Sequence, residues 1–391
     1  MLDVVDLFKE QGTRDELGIG SIRDAFSDRL FPGTGTVQTR ARYFLFVPWV
    51  YLDLERKEVP SAEIARKARA VEVRLIDALA NAHRGQREGV IGIEARAGLK
   101  RLPSNIYWLG LSTWGIRRTR GSQEQYHRSV DRSYRLESRR EAAEEPDASI
   151  AFVSNWHSGI PKPPPSFPDK ANFKLRKEEA VYLRERIMAS VPDSLLAFLV
   201  DKGRADDEAD FPWQHPQWAA FPAPIREQLE HARNFSEAIN GAALLYNLML
   251  AEKSPGKNEL VPHYQAELKA WAKTLRGRED ELSRWDLTRF RSIVVSAPGV
   301  RVSTRTWQFV DAWLKLALSS STASQIKANP SARDLIHRRE TSLKGNLARL
   351  DNLRALELWN GAAGTGQLDY RWRQASTIIS DILRGQKDEH A

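Results

Sequence analysis

The chain has 391 residues, with 59 lysines and arginines against 51 acids, a net charge of +8 and no cysteine. The lack of thiols excludes a disulfide framework, a thiolate zinc site and a cysteine nucleophile, and it fits a reducing cytoplasm. Residues 1–11 are acidic and amphipathic, without the cationic and apolar blocks of a secretory signal. The longest apolar stretch, residues 43–52, is interrupted by Pro48 and falls far short of the roughly 20 residues a spanning helix needs. A cytoplasmic protein with no membrane partner is therefore expected.

In chain order, residues 2–10 (Leu2, Val5, Leu7, Phe8) and 21–31 (Ile22, Ala25, Phe26, Leu30 behind the N-cap Ser21) read as amphipathic helices. A turn at Pro32, Gly33 and Gly35 precedes a long apolar helix over 37–56, which Pro48 should kink. Ser61 opens a helix to about residue 83, with Ile64, Ala68, Val71, Leu75 and Leu79 on one face. Residues 85–98 are glycine-rich, and the alternation Val90-Ile91-Gly92-Ile93 is the best strand candidate. Helices follow over 105–114 and 122–143, and the second carries Arg128, Arg132, Arg135, Arg139 and Arg140 along one stripe.

Residues 144–174 change character, with an acidic start and the run Pro161-Lys162-Pro163-Pro164-Pro165. A domain boundary is placed there: a basic helical domain over 1–143, a proline-rich linker over 144–174 and a helical domain over 175–391. In the last, helical spacing predicts helices at 176–190, 192–202, 225–252, 258–275, 279–296, 303–318, 331–358 and 368–384, the 225–252 helix being wide enough on its apolar side to be central. No fixed-period repeat occurs. The fold class expected is mainly α and multi-helix, with a short-strand or winged-helix-like element near residues 85–115.

Motifs that carry chemistry are weak. Gly33-Thr34-Gly35-Thr36 has the composition of a phosphate loop but lacks the lysine and hydroxyl pair at its end, and no strand precedes it. Serine-hydrolase, HExxH and HxK spacings do not occur. The triplet Glu267-Leu268-Lys269 falls in a predicted helix, where residues two apart point in different directions. His215, among prolines and tryptophans, reads as a packing element. No catalytic residue is assigned, and neither a cofactor nor a metal is expected.

Charge is regional, with a net +10 over residues 56–140 and −5 over 141–211. Most cations are arginine, which suits bidentate phosphate contact, although a coding bias toward arginine would give the same excess. Two constellations stand out. Arg40, Arg42 and Tyr43 lie at a predicted helix start, where cations oppose the helix dipole and need a negative partner: a phosphate, or an internal acid such as Asp24 or Asp28. Lys100 and Arg101, followed by Tyr107 and Trp108 and then by Arg117, Arg118 and Arg120, interleave cations with aromatics as nucleic-acid surfaces do. The alternative is a buried aromatic pair with ordinary surface arginines around it. These eight residues are the candidate nucleic-acid contacts.

Residues 15–24, 30–34, 38–49, 102–108, 343–350 and 370–372 together resemble a family of uncharacterised bacterial proteins known only as a domain of unknown function. Its members begin upstream of this Met1, which implies an N-terminally short chain. The resemblance implies an association with phage-defence and mobile-element genes and assigns no residue a role. A non-catalytic nucleic-acid-associated accessory protein of a bacterial defence or DNA-processing system is the expected function, with protein partners in a multi-component system. The alternatives are a scaffold binding an acidic partner and a diverged metal-dependent nuclease, for which acids such as Asp286 and Asp311 would have to converge.

Overall fold

The computed structural model describes residues 15–83, 89–141, 154–319 and 323–387, so the helix expected over 2–10 lies outside them. Asp15 opens the first element: its carboxylate accepts the Ile19 and Gly20 amides, at 2.8 and 2.6 Å, at the positive end of α1 (Gly20–Leu30). Helix α2 (Tyr43–Arg56) buries nearly every residue from Tyr43 to Tyr51 and runs through Pro48. It starts six residues later than the apolar pattern predicts because residues 37–42 are held as a loop, with the Thr39 and Arg40 amides bonded to the Tyr107 hydroxyl. Helix α3 (Ser61–Ala82) buries Ile64, Ala68, Leu75 and Leu79, as its spacing requires.

No strand forms among the described residues. The alternation at 90–93 is a turn instead, in which Gly89 and Gly92 take positive φ and Val90 and Ile91 are both buried. A strand would send those two side chains to opposite faces. Helices α4 (Pro103–Thr113) and α5 (Gln123–Glu141) follow. The described part of the expected linker, residues 154–174, is built into the core: Trp156 and Phe173 are buried, and the Trp49 indole donates to the Pro161 carbonyl at 2.6 Å. Helices α6 (Lys177–Ser190) and α7 (Leu195–Lys202) come next.

The 31-residue α8 (Ala223–Lys253) is the predicted central helix, buried along most of its length. Helix α9 (Leu260–Arg276) packs on it, and the Trp271 indole donates to the Glu237 carbonyl at 2.8 Å. The helix expected at 279–296 is two, α10 (Glu279–Ser283) and α11 (Leu287–Val295), because Asp286 caps the second through the Arg289 amide. Helix α12 (Thr304–Ala317) follows. The helix expected at 331–358 also divides, into α13 (Pro330–Lys344) and α14 (Leu353–Glu357), since Gly345 has φ +52 and the Glu340 carboxylate draws in the Arg349 and Leu350 amides. Helix α15 (Trp372–Lys387) ends the described chain.

The chain forms two compact units, each discontinuous. One holds residues 15–29 and 222–370; the other, the central unit, holds residues 30–221 and 371–387. In the first, a Cβ on Gly241 would lie 2.3 Å from the Trp271 ring, so close approach of α8 and α9 depends on that glycine. Gly241→Ala should lower stability by about 1–3 kcal/mol despite alanine's better helix propensity, since a buried indole cannot yield. Thermal unfolding checks this.

Candidate nucleic-acid interface

The eight candidate residues separate into an interior group and a surface group. Arg42, the residue before α2, is buried; its guanidinium donates to the Glu179 carboxylate at 2.9 Å and to the Asn172 carbonyl and side chain, each at 2.9 Å. Arg40 grips Asp381 with Nε and Nη2, and Asp381 also accepts the Ala41 amide at 3.0 Å. Tyr43 is fully buried, its hydroxyl accepting the Ile91 amide, and burial raises its pKa. The need for negative partners at this helix start was readable, but Glu179 and Asp381 supply them rather than phosphate or the sequence neighbours Asp24 and Asp28. Arg117 is interior too: it is buried, lies over the Trp108 ring at 4.5 Å and donates to the Thr119 carbonyl. Arg42, Tyr43 and Arg117 are thus buried among internal partners, while Arg40 is held by Asp381 with its side chain 27% exposed.

Lys100, Arg101, Arg118 and Arg120 are exposed, and none forms an ion pair among the described residues. Their backbone is firmly placed. Arg69 donates to the Leu99 carbonyl at 2.9 Å, and Asn105 accepts the Leu102 amide at 2.8 Å. Asn105 also donates to Gln123, at the start of α5, and the Trp108 indole donates to the Gly121 carbonyl at 3.2 Å. Residues 100–105 and 118–123 are thereby held alongside each other. The Arg118 amide bonds to the Asn155 carbonyl at 2.8 Å, next to the isolated bridge between Arg117 and Trp156.

Most other cations of the basic region whose side chains are described form ion pairs. Arg56 and Lys57 pair with Asp53, Arg66 and Lys67 with Glu63, Arg74 with Asp169, Arg96 with Asp77 and Arg128 with Glu124. On α5, Arg132 and Arg135 are exposed and make no ion pair among the described residues; Arg135 lies in the field of Asp131, and Arg132 extends the unpaired positive charge beyond the candidate set. The sequence stripe contained them, and its paired member Arg128 is answered by Glu124 one turn earlier on the same helix. The side chains of Arg139 and Arg140 lie outside the described residues.

Beneath this surface runs a buried polar chain. Glu72 accepts the Ser104 amide at 2.8 Å and hydroxyl at 2.7 Å, and Gln123 donates to both the Ser104 and Tyr51 hydroxyls. Tyr51 in turn meets His127 at 3.0 Å. Ser104 is fully buried, so the chain fixes the starts of α4 and α5 and exposes no nucleophile.

A family profile matches residues 2–385. The chain belongs to DUF6361, a family of unknown function. No curated protein and no solved structure matches it. In this DUF6361 chain the segments that carry the resemblance make bonds within each unit. Glu16 accepts Lys344 and Arg349 at 2.5 and 3.0 Å, and Arg339 donates to the Leu17 and Gly18 carbonyls. In the central unit Arg371 donates to the Thr34 carbonyl and Trp114 to that of Pro32, so the glycine turn at 33–36 is a pinned loop.

Other chemistry finds little purchase. Asp286 is a helix cap and Asp311 pairs with Arg291, so neither is poised for a nuclease centre. Among the described residues no group of three or more histidine, aspartate or glutamate side chains could hold a metal ion. His215 lines a small cavity with Asp207, Ser376 and Ser380, which has the residue types of a hydrolase. Its Nδ1 accepts the Gln217 amide at 3.2 Å, which places the proton of the neutral ring on Nε2. No helix among the described residues is long and apolar enough to cross a membrane.

Burial pushes the Glu72 carboxyl up to about 7, against the Ser104 hydrogen bonds that lower it. The folded state therefore binds a proton that the unfolded state releases near 4.5. Stability from this group is full below the ordinary carboxyl range and falls as pH rises from there to about 7, by about 3 kcal/mol in all. Glu72→Gln should match the wild type at pH 5 and melt higher at pH 8.5. Thermal melts across that range test it.

Proposed function

We propose that this protein is a non-catalytic, nucleic-acid-associated accessory component of a bacterial defence or DNA-processing system. One observation carries the reading. Within a region of net +10, the cations of α3 are tied to acids or carbonyls, whereas Lys100, Arg101, Arg118, Arg120 and Arg132 lie exposed and free of acids. Free guanidinium groups on a rigid backbone are what phosphate contact requires, because each displaces condensed counterions from the nucleic acid. The chemistry of the patch favours backbone contact and weak sequence preference, since no base-reading motif accompanies it. Phage-defence association rests on the family resemblance.

A second reading, a protein-binding scaffold, draws support from the other unit. Leu343, Leu347, Leu353 and Leu358 are 44%, 71%, 68% and 84% exposed within one short stretch. Clustered exposed leucines favour a protein partner over a nucleic acid. The two readings are compatible in an accessory protein with separate surfaces.

Binding to duplex DNA should weaken steeply with salt. Replacing Lys100, Arg101, Arg118 and Arg120 together with alanine should reduce the slope of log K against log salt by roughly 3 to 4, at about 0.9 per lost phosphate contact. The melting temperature should stay unchanged, as exposed charges without partners contribute little to folding. Unchanged binding in this variant would leave the scaffold reading standing alone.

A further inference from the structure

Among the described residues of the central unit, Leu109 is the one large hydrophobic side chain that is exposed, at 75%, and it lies on α4, whose start follows Lys100 and Arg101. Its position is set by the helix. Asn105, Leu109 and Thr113 follow at four-residue spacing along the outer stripe of α4, while Tyr107, Trp108 and Leu111 turn inward. Asn105 is bonded to Gln123, and the neighbouring Trp108 to Gly121, so the loop bearing Arg118 and Arg120 runs beside this stripe. Lys100 and Arg101 precede its first turn. An apolar side chain projecting from a helix, with unpaired cations just before its first turn and on the loop tied to Asn105 and Trp108, suits a duplex whose phosphates the cations take while the apolar group reaches the bases.

We propose that Leu109 is a wedge that enters a base step of duplex DNA, so that the preferred substrate is DNA already unstacked at one step, by a mismatch or a bulge. The proposal rests on the nucleic-acid reading above. Inserting an apolar wedge costs the stacking energy of the step it opens, and a step already disrupted removes that cost. The cations contribute equally on either substrate, because phosphates are present on both. Preference and affinity thus reside in different side chains.

The test uses the full chain with two 25-base-pair duplexes, one regular and one with a central mismatch flanked by 2-aminopurine. The wild type should bind the mismatched duplex at least about tenfold more tightly and raise 2-aminopurine fluorescence as the base unstacks. Leu109→Ala should bring the preference close to one and abolish the fluorescence rise, while keeping affinity for the regular duplex, the salt slope and the melting temperature. Leu109→Phe should retain both wedge signals. Equal binding of the two duplexes by the wild type, or a preference that survives in Leu109→Ala, would overturn the wedge and leave the phosphate-binding surface intact. Absence of salt-dependent binding to either duplex would overturn both.

Discussion

The central unit depends on a buried electrostatic junction at the start of α2. Two arginines stand where the helix dipole is positive, and the helix behind them is almost wholly enclosed. Such an arrangement is unfavourable unless anions are delivered to it, and they come from far along the chain: Glu179 from α6 and Asp381 from α15. Asp381 also accepts the Ala41 amide, so one carboxylate answers a guanidinium and an open helix end together. Removing Arg42 or Glu179 would leave an uncompensated buried charge, which costs far more than the pair contributes net, whereas Arg40 keeps partial access to solvent. This geometry closes residues 30–221 with residues 371–387.

Much of the helical architecture was legible because its cause is local. The spacing of Ile64, Ala68, Leu75 and Leu79 marks one buried face whatever packs against it, and Ser303 and Asn329 cap their helices through their own side chains. The errors fell where distant groups decide. Residues 37–42 looked helical until the Tyr107 hydroxyl, 68 residues away from Thr39, captured their amides. Val90 to Ile93 alternated like a strand, yet two glycines of positive φ and the Tyr43 hydroxyl bend that segment into a turn. The break after Lys344 is set by Glu340, whose carboxylate no periodicity could have linked to the Arg349 and Leu350 amides.

The candidate site followed the same division. Sequence located the cationic stretches correctly but could not sort them, since an arginine's role depends on whether an acid reaches it. Arg117 and Arg118 are neighbours in the chain, one buried over an indole and the other open to solvent. Of the two sequence readings of this segment, the buried aromatic pair is the one found: Lys100 and Arg101 stay at the surface, while Tyr107 holds the Thr39 and Arg40 amides and Trp108 the Gly121 carbonyl. The outward apolar group is Leu109, one residue further on, and helical phase alone would have distinguished it from Trp108 once the buried face was known.

The two discontinuous units carry a consequence for biosynthesis. During translation the segment 30–221 leaves the ribosome with Arg40 and Arg42 in place and Asp381 still unmade, and residues 15–29 emerge long before the 222–370 segment they join. Neither unit can finish as a vectorial, first-out-first-folded domain, which is the usual route for long chains. The nascent chain must hold an incomplete central core until residues 371–387 emerge, and a chain stalled before residue 371 would present that core to chaperones and proteases.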